Sequence, residues 1–480
     1  MNDIVKVLPN YKKFNDYISS VKNNTNPIML SGLTDSGKVH FAYSTYFYAE
    51  KPICIITYNE LQAKKIIKNL EYFANKINFF PKKEIMAYDY LAESKDVTYN
   101  RIACLNDIYN KNASIIVTTI EAVSQKIIPK EVLYKNIFEL KIGDIINLDK
   151  IKQTLVALGY ERQEVVENKS EFSIRGGIVD IGIGEKQGIR IELWGDEIDS
   201  IRTFDINTQR SKEKIEKATI YPAHEFILDK SLEEVAKNIE DEKDKEEILE
   251  GNYSTKIDKY WNEFYTNSDS TFIDYIKENY IIFLDEVGKI KARSENVIKD
   301  TKGLIQSLVE KKRFVPELLK KIDDYIAFLN KIKDRQTIYL ENKDIGFVDK
   351  QSMHAKRNGY SFSYREVNFF RSSMDSLFKE VQTGLGEGTT IAILCGAQAN
   401  VKRTKDLLAE KINNPRLLEK LIITEGSLTE GFECYDFNLL VISIEELFNI
   451  PKKRKRAPEQ FKTGETIIFS DLKVRRLHSS

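Results

Sequence analysis

Cysteine is scarce in this chain. The four that occur, Cys54, Cys104, Cys395 and Cys434, lie far apart, with no Cys-x-x-Cys spacing. That spacing argues against a disulfide framework or a zinc clip and predicts buried free thiols in a reducing cytoplasm. The histidines, His40, His224, His354 and His478, are equally scattered and suggest neither a metal nor a catalytic cluster. No apolar run is long enough to cross a bilayer, and Met1-Asn2-Asp3-Ile4 does not open a signal peptide, so no membrane partner is expected. Excess charge of either sign is also missing: 73 Lys and Arg balance 73 Asp and Glu. A balance of this kind argues against a protein that coats DNA, while leaving a local basic patch open. There are no internal repeats and no low-complexity tracts.

What is present is ample apolar residue: 42% of 480 positions, enough for several separately cored domains. Pro27-Ile28-Met29-Leu30, Ile53-Cys54-Ile55-Ile56-Thr57 and Ser114-Ile115-Ile116-Val117-Thr118 read as buried strands, each followed by a helix. Thr57 with Glu60, and Thr118 with Glu121, have capping-box spacing. Strands alternating with helices imply a parallel sheet. The texture changes near Phe138, where a helix over 148–158 precedes short alternating strands and glycine turns up to Pro222. Residues 226–343 turn helical again, with a long charged helix expected over 232–249 and an apolar strand, Tyr280 to Leu284, inside. A further α/β unit is expected over 344–448, then a basic run, Lys452-Lys453-Arg454-Lys455-Arg456, and a last strand over 466–469. The expected division is 1–137, 138–225, 226–343, 344–448 and 449–480. The fold class is α/β: a parallel-sheet domain interrupted by a small α+β domain and followed by a second small α/β domain.

Two fragments point toward nucleotide chemistry. Gly32-x-x-x-x-Gly37-Lys38, between a strand and a helix, is the first part of a P-loop, whose amides cradle phosphates at a helix N-terminus. The next residue should be Ser or Thr, to ligate magnesium; here it is Val39. Asp285-Glu286 after an apolar strand has the form of a Walker B element. With no arginine-finger lobe in view, the reading is a degenerate, RecA-like ATPase domain without hydrolysis, weak phosphate binding remaining open. No catalytic residue and no metal site are expected.

A binding face is suggested further on. In Ile189-Arg190-Ile191-Glu192-Leu193-Trp194, period-two alternation puts the aliphatic residues on one face and Arg190, Glu192 and Trp194 on the other. In Phe172-Ser173-Ile174-Arg175, Arg175 lies opposite Phe172 and Ile174. Tryptophan and arginine are the types most enriched among interface hot spots.

The series Ser173-Ile174-Arg175-Gly176-Gly177-Ile178-Val179-Asp180-Ile181, Arg190 to Asp205, Thr208-Gln209-Arg210 and Tyr221-Pro222-Ala223-His224-Glu225-Phe226 resembles the UvrB-homology module of bacterial transcription-repair coupling factors. Glu445-Glu446-Leu447-Phe448 and Ser470-Asp471-Leu472-Lys473-Val474 resemble that family's approach to its RNA-polymerase-interacting domain. The resemblance implies that the small domain contacts UvrA, with Arg175, Arg190, Glu192 and Trp194 on the contact surface. It implies a role in transcription-coupled nucleotide excision repair. ATP, magnesium, double-stranded DNA and RNA polymerase would be handled by a translocase expected after residue 474, where the remaining residues fit nothing in the family. The chain itself is therefore expected to recruit UvrA in the cytoplasm and not to be an enzyme. The alternative is an active UvrB-type, ATP-dependent damage-processing enzyme. Against it stand Val39, the missing second lobe and the lack of a long hairpin before Tyr99.

Overall fold

A computed structural model describes residues 3–84, 95–184, 186–254, 256–310, 316–343, 348–367, 374–412 and 421–443. The basic run, the strand expected over 466–469, the segments 445–448 and 470–474, and most of the stretch just before Tyr99 lie outside the described residues.

Strands Ile28–Ser31, Ile53–Thr57, Ile115–Thr119, Ile281–Asp285 and Thr337–Leu340 are buried at every position. That is why they read as continuous apolar runs: a parallel sheet is covered on both faces. With Asn78–Phe80 and Tyr360–Ser361 they form one seven-stranded sheet. Its order is 360–361, 28–31, 337–340, 281–285, 53–57, 115–119, 78–80, and every pair is parallel. Alternate residues feed two cores. Cys54, Ile56, Ile282 and Leu284 face one, while Ile53, Ile55, Ile281 and Phe283 face the other.

The first core runs without a break into the small domain, which carries a six-stranded sheet in the order 211–215, 197–205, 187–194, 178–182, 171–175, 161–162. Phe172, Val179, Ile181, Ile189 and Ile191 supply its inward face. At the exit of this domain Glu225 is buried against Arg101, with Nε–Oε1 at 2.5 Å and Nη2–Oε2 at 3.0 Å. A Cβ on Gly159, at φ +88°, would sit 2.2 Å from the His224 ring. The run 221–226 thus fastens the insert to its host sheet. All four cysteines are free and buried.

Four details differ from expectation. Thr57 does not cap a helix; Asn59 does, accepting from Gln62 N at 2.8 Å, because the Thr57 hydroxyl is engaged by Asp285. Thr119, not Thr118, caps the next helix, since Thr118 donates to the Phe80 carbonyl. The long helix over 232–249 is two, Leu232–Ala236 and Glu242–Leu249, because Asp241 accepts from Asp244 N and starts a new turn. Finally, the parallel sheet does not end at 343. Tyr360–Ser361 pairs with Leu30–Ser31, so the separate five-stranded sheet, in the order 364–366, 432–434, 439–443, 390–394, 422–424, begins at Tyr364–Glu366. No helix among the described residues is long and apolar enough to cross a membrane.

Candidate functional site

The structure brings the two nucleotide-like fragments together although 247 residues separate Lys38 from Asp285. Helix Asp35–Ala49 starts from a Thr34 cap and puts Lys38 against the end of strand Ile281–Asp285. Lys38 Nζ donates to Asp285 Oδ1 at 2.7 Å and to Glu286 Oε1 at 2.5 Å, and its side chain is 4% exposed. Burial alone would lower the ammonium pKa, but Asp285 and Glu286 hold it above its ordinary value. Asp285 also accepts from Thr57 Oγ1 at 2.8 Å, and Glu286 from Asn342 N at 2.8 Å.

The loop is filled by the protein itself. Three of its amides are already used: Gly37 N donates to Thr34 Oγ1, Lys38 N to the Thr34 carbonyl and Leu33 N to the Glu341 carbonyl. Residues 360–364 run over it, with Phe362 N bonded to Ser31 O and Tyr364 N to Gly32 O. A Cβ on Gly32 would lie 1.9 Å from the Phe362 carbonyl oxygen, and one on Gly37 would lie 2.6 Å from the Tyr364 ring. Gly32 and Gly37 therefore admit the 360–364 segment, where P-loop glycines admit phosphate. Val39 points into the core at 1% exposure. The cavity left between Asp35, Lys38, Gln62 and Asp285 is about 10 Å³, barely room for one water and far too little for a nucleotide.

A third carboxylate, Glu341, completes the cluster and accepts from Val287 N at 2.9 Å. Burial, then the Glu286 and Asp285 charges against the opposing pull of Lys38, raises its pKa from 4.5 to about 8. The folded chain therefore holds a proton that the unfolded chain releases above pH 4.5. Stability from this group is present at low pH and falls as pH rises toward about 8. Urea melts should show that slope in the wild type and a flatter one in Glu341→Gln; parallel pH profiles would contradict the assignment.

The second candidate is the outward face of the small-domain sheet. Alternation places its residues as expected: Arg190, Glu192 and Trp194 share the face of strand Gln187–Trp194 opposite Ile189 and Ile191. Arg175 lies on the same sheet face, two strands away. The four residues are not equally available. Trp194 is 85% exposed at a hairpin end and is not folded under a loop. Arg175 is half exposed, its Nη2 2.8 Å from Asp180 Oδ2. Glu192 accepts from Ser200 Oγ at 2.5 Å and lies 3.6 Å from Arg202. Arg190 is fastened: Nε and Nη2 reach the two Asp180 oxygens at 2.7 and 2.9 Å, and its guanidinium covers the Phe204 ring. The Asp180 hydrogen bond raises its pKa above the ordinary value.

Asp180 is the residue the sequence reading overlooked. It lies directly across from Arg190, is fully buried, and organises both arginines. Nothing in its neighbours distinguishes it from a solvated strand carboxylate. Asp180→Ala leaves Arg190 without its partner and should cost about 3 kcal/mol, read from a urea melt; a loss below about 0.5 kcal/mol would show the pair to be incidental. Ile145 was overlooked as well. It is 82% exposed and bridges to Glu197, whose other cross-strand partner is Trp194, so an exposed aliphatic chain lies two strand positions from the indole.

Comparison with known proteins bears on this domain directly. Residues 138–226 match the UvrB interaction domain family. Beyond that domain, the chain is 29% identical over 89% of its length to a transcription-repair-coupling factor of Staphylococcus aureus, and 26% identical over 99% to that of Bacillus subtilis. The similarity to transcription-repair-coupling factors thus runs along most of the chain and is not confined to the matched domain. The chain spans 39% and 43% of the length of those two relatives. The matched domain is the one whose outward face carries Arg175, Arg190, Glu192 and Trp194.

Proposed function

We propose that this chain recruits UvrA to transcription-coupled nucleotide excision repair through the outward face of residues 138–226. The observation that carries this reading is an exposed tryptophan on the same sheet face as two arginines bonded to a buried carboxylate, in the domain that matches the UvrB interaction family. Trp194 is the anchor, Arg175 the accessible charge and Ile145 an apolar neighbour. Arg190 and Glu192 shape the face through bonds to Asp180 and Ser200. The setting is cytoplasmic. RNA polymerase, double-stranded DNA and ATP-driven translocation belong, in this proposal, to the remainder of the longer chains found in the relatives.

The test is sedimentation of purified UvrA with the chain, with and without UvrB. A complex that UvrB displaces is expected, because the face belongs to a UvrB-type domain. No complex at micromolar concentrations would overturn the proposal.

We also propose that residues 28–38 and 285–286 bind no nucleotide and that the chain hydrolyses none. The filled loop supports this and speaks against a UvrB-type enzyme. Equilibrium dialysis with ATP and magnesium should give no saturable binding, and no phosphate should be released with or without DNA. Saturable binding would contradict the reading.

A further inference from the structure

All strands of a parallel sheet begin at the same edge, so the residues just before them gather there. In this chain four of the residues gathered there are lysines. Lys22 ends helix Lys12–Lys22, Lys51 precedes strand Ile53–Thr57, Lys111 precedes Ile115–Thr119 and Lys277 precedes Ile281–Asp285. Together with Tyr46 and Phe47, from the last turn of helix Asp35–Ala49, they line an open concavity of about 730 Å³. Lys22, Lys111 and Lys277 are exposed. Lys51 donates only to neutral partners, Asn24 Oδ1 at 2.6 Å and Gln336 Oε1 at 3.0 Å. Among the described residues, none of the four lysines is within ion-pair distance of a carboxylate, in a chain whose charges elsewhere are extensively paired. One carboxylate, Glu50, shares the lining.

Lysines also collect near helix C-termini, where they offset the helix dipole, and three helices of three turns or more, Lys12–Lys22, Asp35–Ala49 and Lys95–Tyr109, end at this edge. Each end carries about half a negative charge, so together they offset about one and a half of the positive charges. With Glu50 included, the concavity keeps a net positive charge. Tyr46 and Phe47 are partly exposed within it. Cations that follow a phosphate backbone, beside rings on which bases stack, form the pattern of a sequence-independent single-strand site. The concavity is large enough for a nucleotide or two and too small to seat a duplex.

We propose that this edge of the parallel sheet binds single-stranded polynucleotide, a site separate from the partner-binding face and independent of the function proposed for it. The experiment is fluorescence anisotropy of the full chain with a labelled oligo(dT), and with oligo(U) as the RNA arm. Salt is varied, because a single strand contacting four lysines should give a log–log slope of about −3. The triple variant Lys22→Glu, Lys111→Glu, Lys277→Glu should weaken binding at least about tenfold. A control reversing Lys64, Lys237 and Lys299, exposed lysines outside the concavity, should not. Phe47→Ala should weaken binding without changing the salt slope. All six lysines are surface residues, and thermal melts verify folding. Binding of either strand with this pattern supports the proposal, and the two arms separate DNA from RNA. Equal affinity of wild type and triple variant would overturn it by assigning the binding elsewhere, the basic run 452–456 included. Tighter binding of a duplex, or of polyglutamate, would overturn it as well.

Discussion

A Lys38→Met chain is expected to unfold about 3–5 kcal/mol more easily than the wild type. The substitution keeps most of the side-chain volume but leaves Asp285, 1% exposed, and Glu286 without the ammonium that both contact. Two carboxylates remain beside Glu341, whose pKa is already raised by burial and, after that, by their charge. Adding Asp285→Asn and Glu286→Gln should restore most of the loss, because neutral groups of similar shape no longer need the cation. A working phosphate site predicts the opposite. There the lysine is a functional charge awaiting an anion, and its removal leaves stability unchanged or improves it. Denaturant melts of the single and triple variants decide between the two. A Lys38→Met variant within 0.5 kcal/mol of wild type would contradict the idea of an internally neutralised loop.

The second large effect concerns the face on residues 138–226. Trp194→Ala should weaken UvrA binding by about 2 kcal/mol or more, roughly thirtyfold in Kd, with little change in stability. An indole that is 85% exposed contributes almost nothing to the fold, and only a partner could bury it. Arg175→Ala should have a smaller effect, since part of its charge is already satisfied by Asp180. Arg190→Glu is a poorer probe. It places a carboxylate against the buried Asp180, so any loss of binding would arrive together with a loss of stability. Calorimetric titration with parallel melts separates the two cases. A Trp194→Ala chain that binds as tightly as wild type would remove the anchor from the account.

Much of this was legible in the sequence because it follows local periodicity. The continuous apolar strands announced a sheet covered on both faces, and period-two alternation set Arg190, Glu192 and Trp194 on one side of their strand. What escaped depends on partners distant in the chain. Gly32 and Gly37 read as phosphate-loop glycines, but the group they admit is the 360–364 segment, more than 300 residues downstream, and no local pattern encodes that contact. Asp180 read as one more strand carboxylate until its cross-strand register with Arg190 was fixed. Ile145 gave no signal, because an exposed isoleucine beside Ile146, which is core at 9% exposure, looks no different in sequence. The slipped helix caps have the same cause: Thr57 has the right spacing to cap, but its hydroxyl bonds to Asp285, which enters from another strand.

The most direct test of the central claim uses the unaltered chain. Amide hydrogen exchange is followed across 171–205 with and without saturating UvrA. The turn amides at Gly176, Gly177, Gly195 and Asp196, which flank Arg175 and Trp194, should become protected on binding, while exchange at 360–364 stays unchanged. Exchange at those turns that is identical with and without UvrA, under conditions where a complex is present, would contradict the assignment of this face.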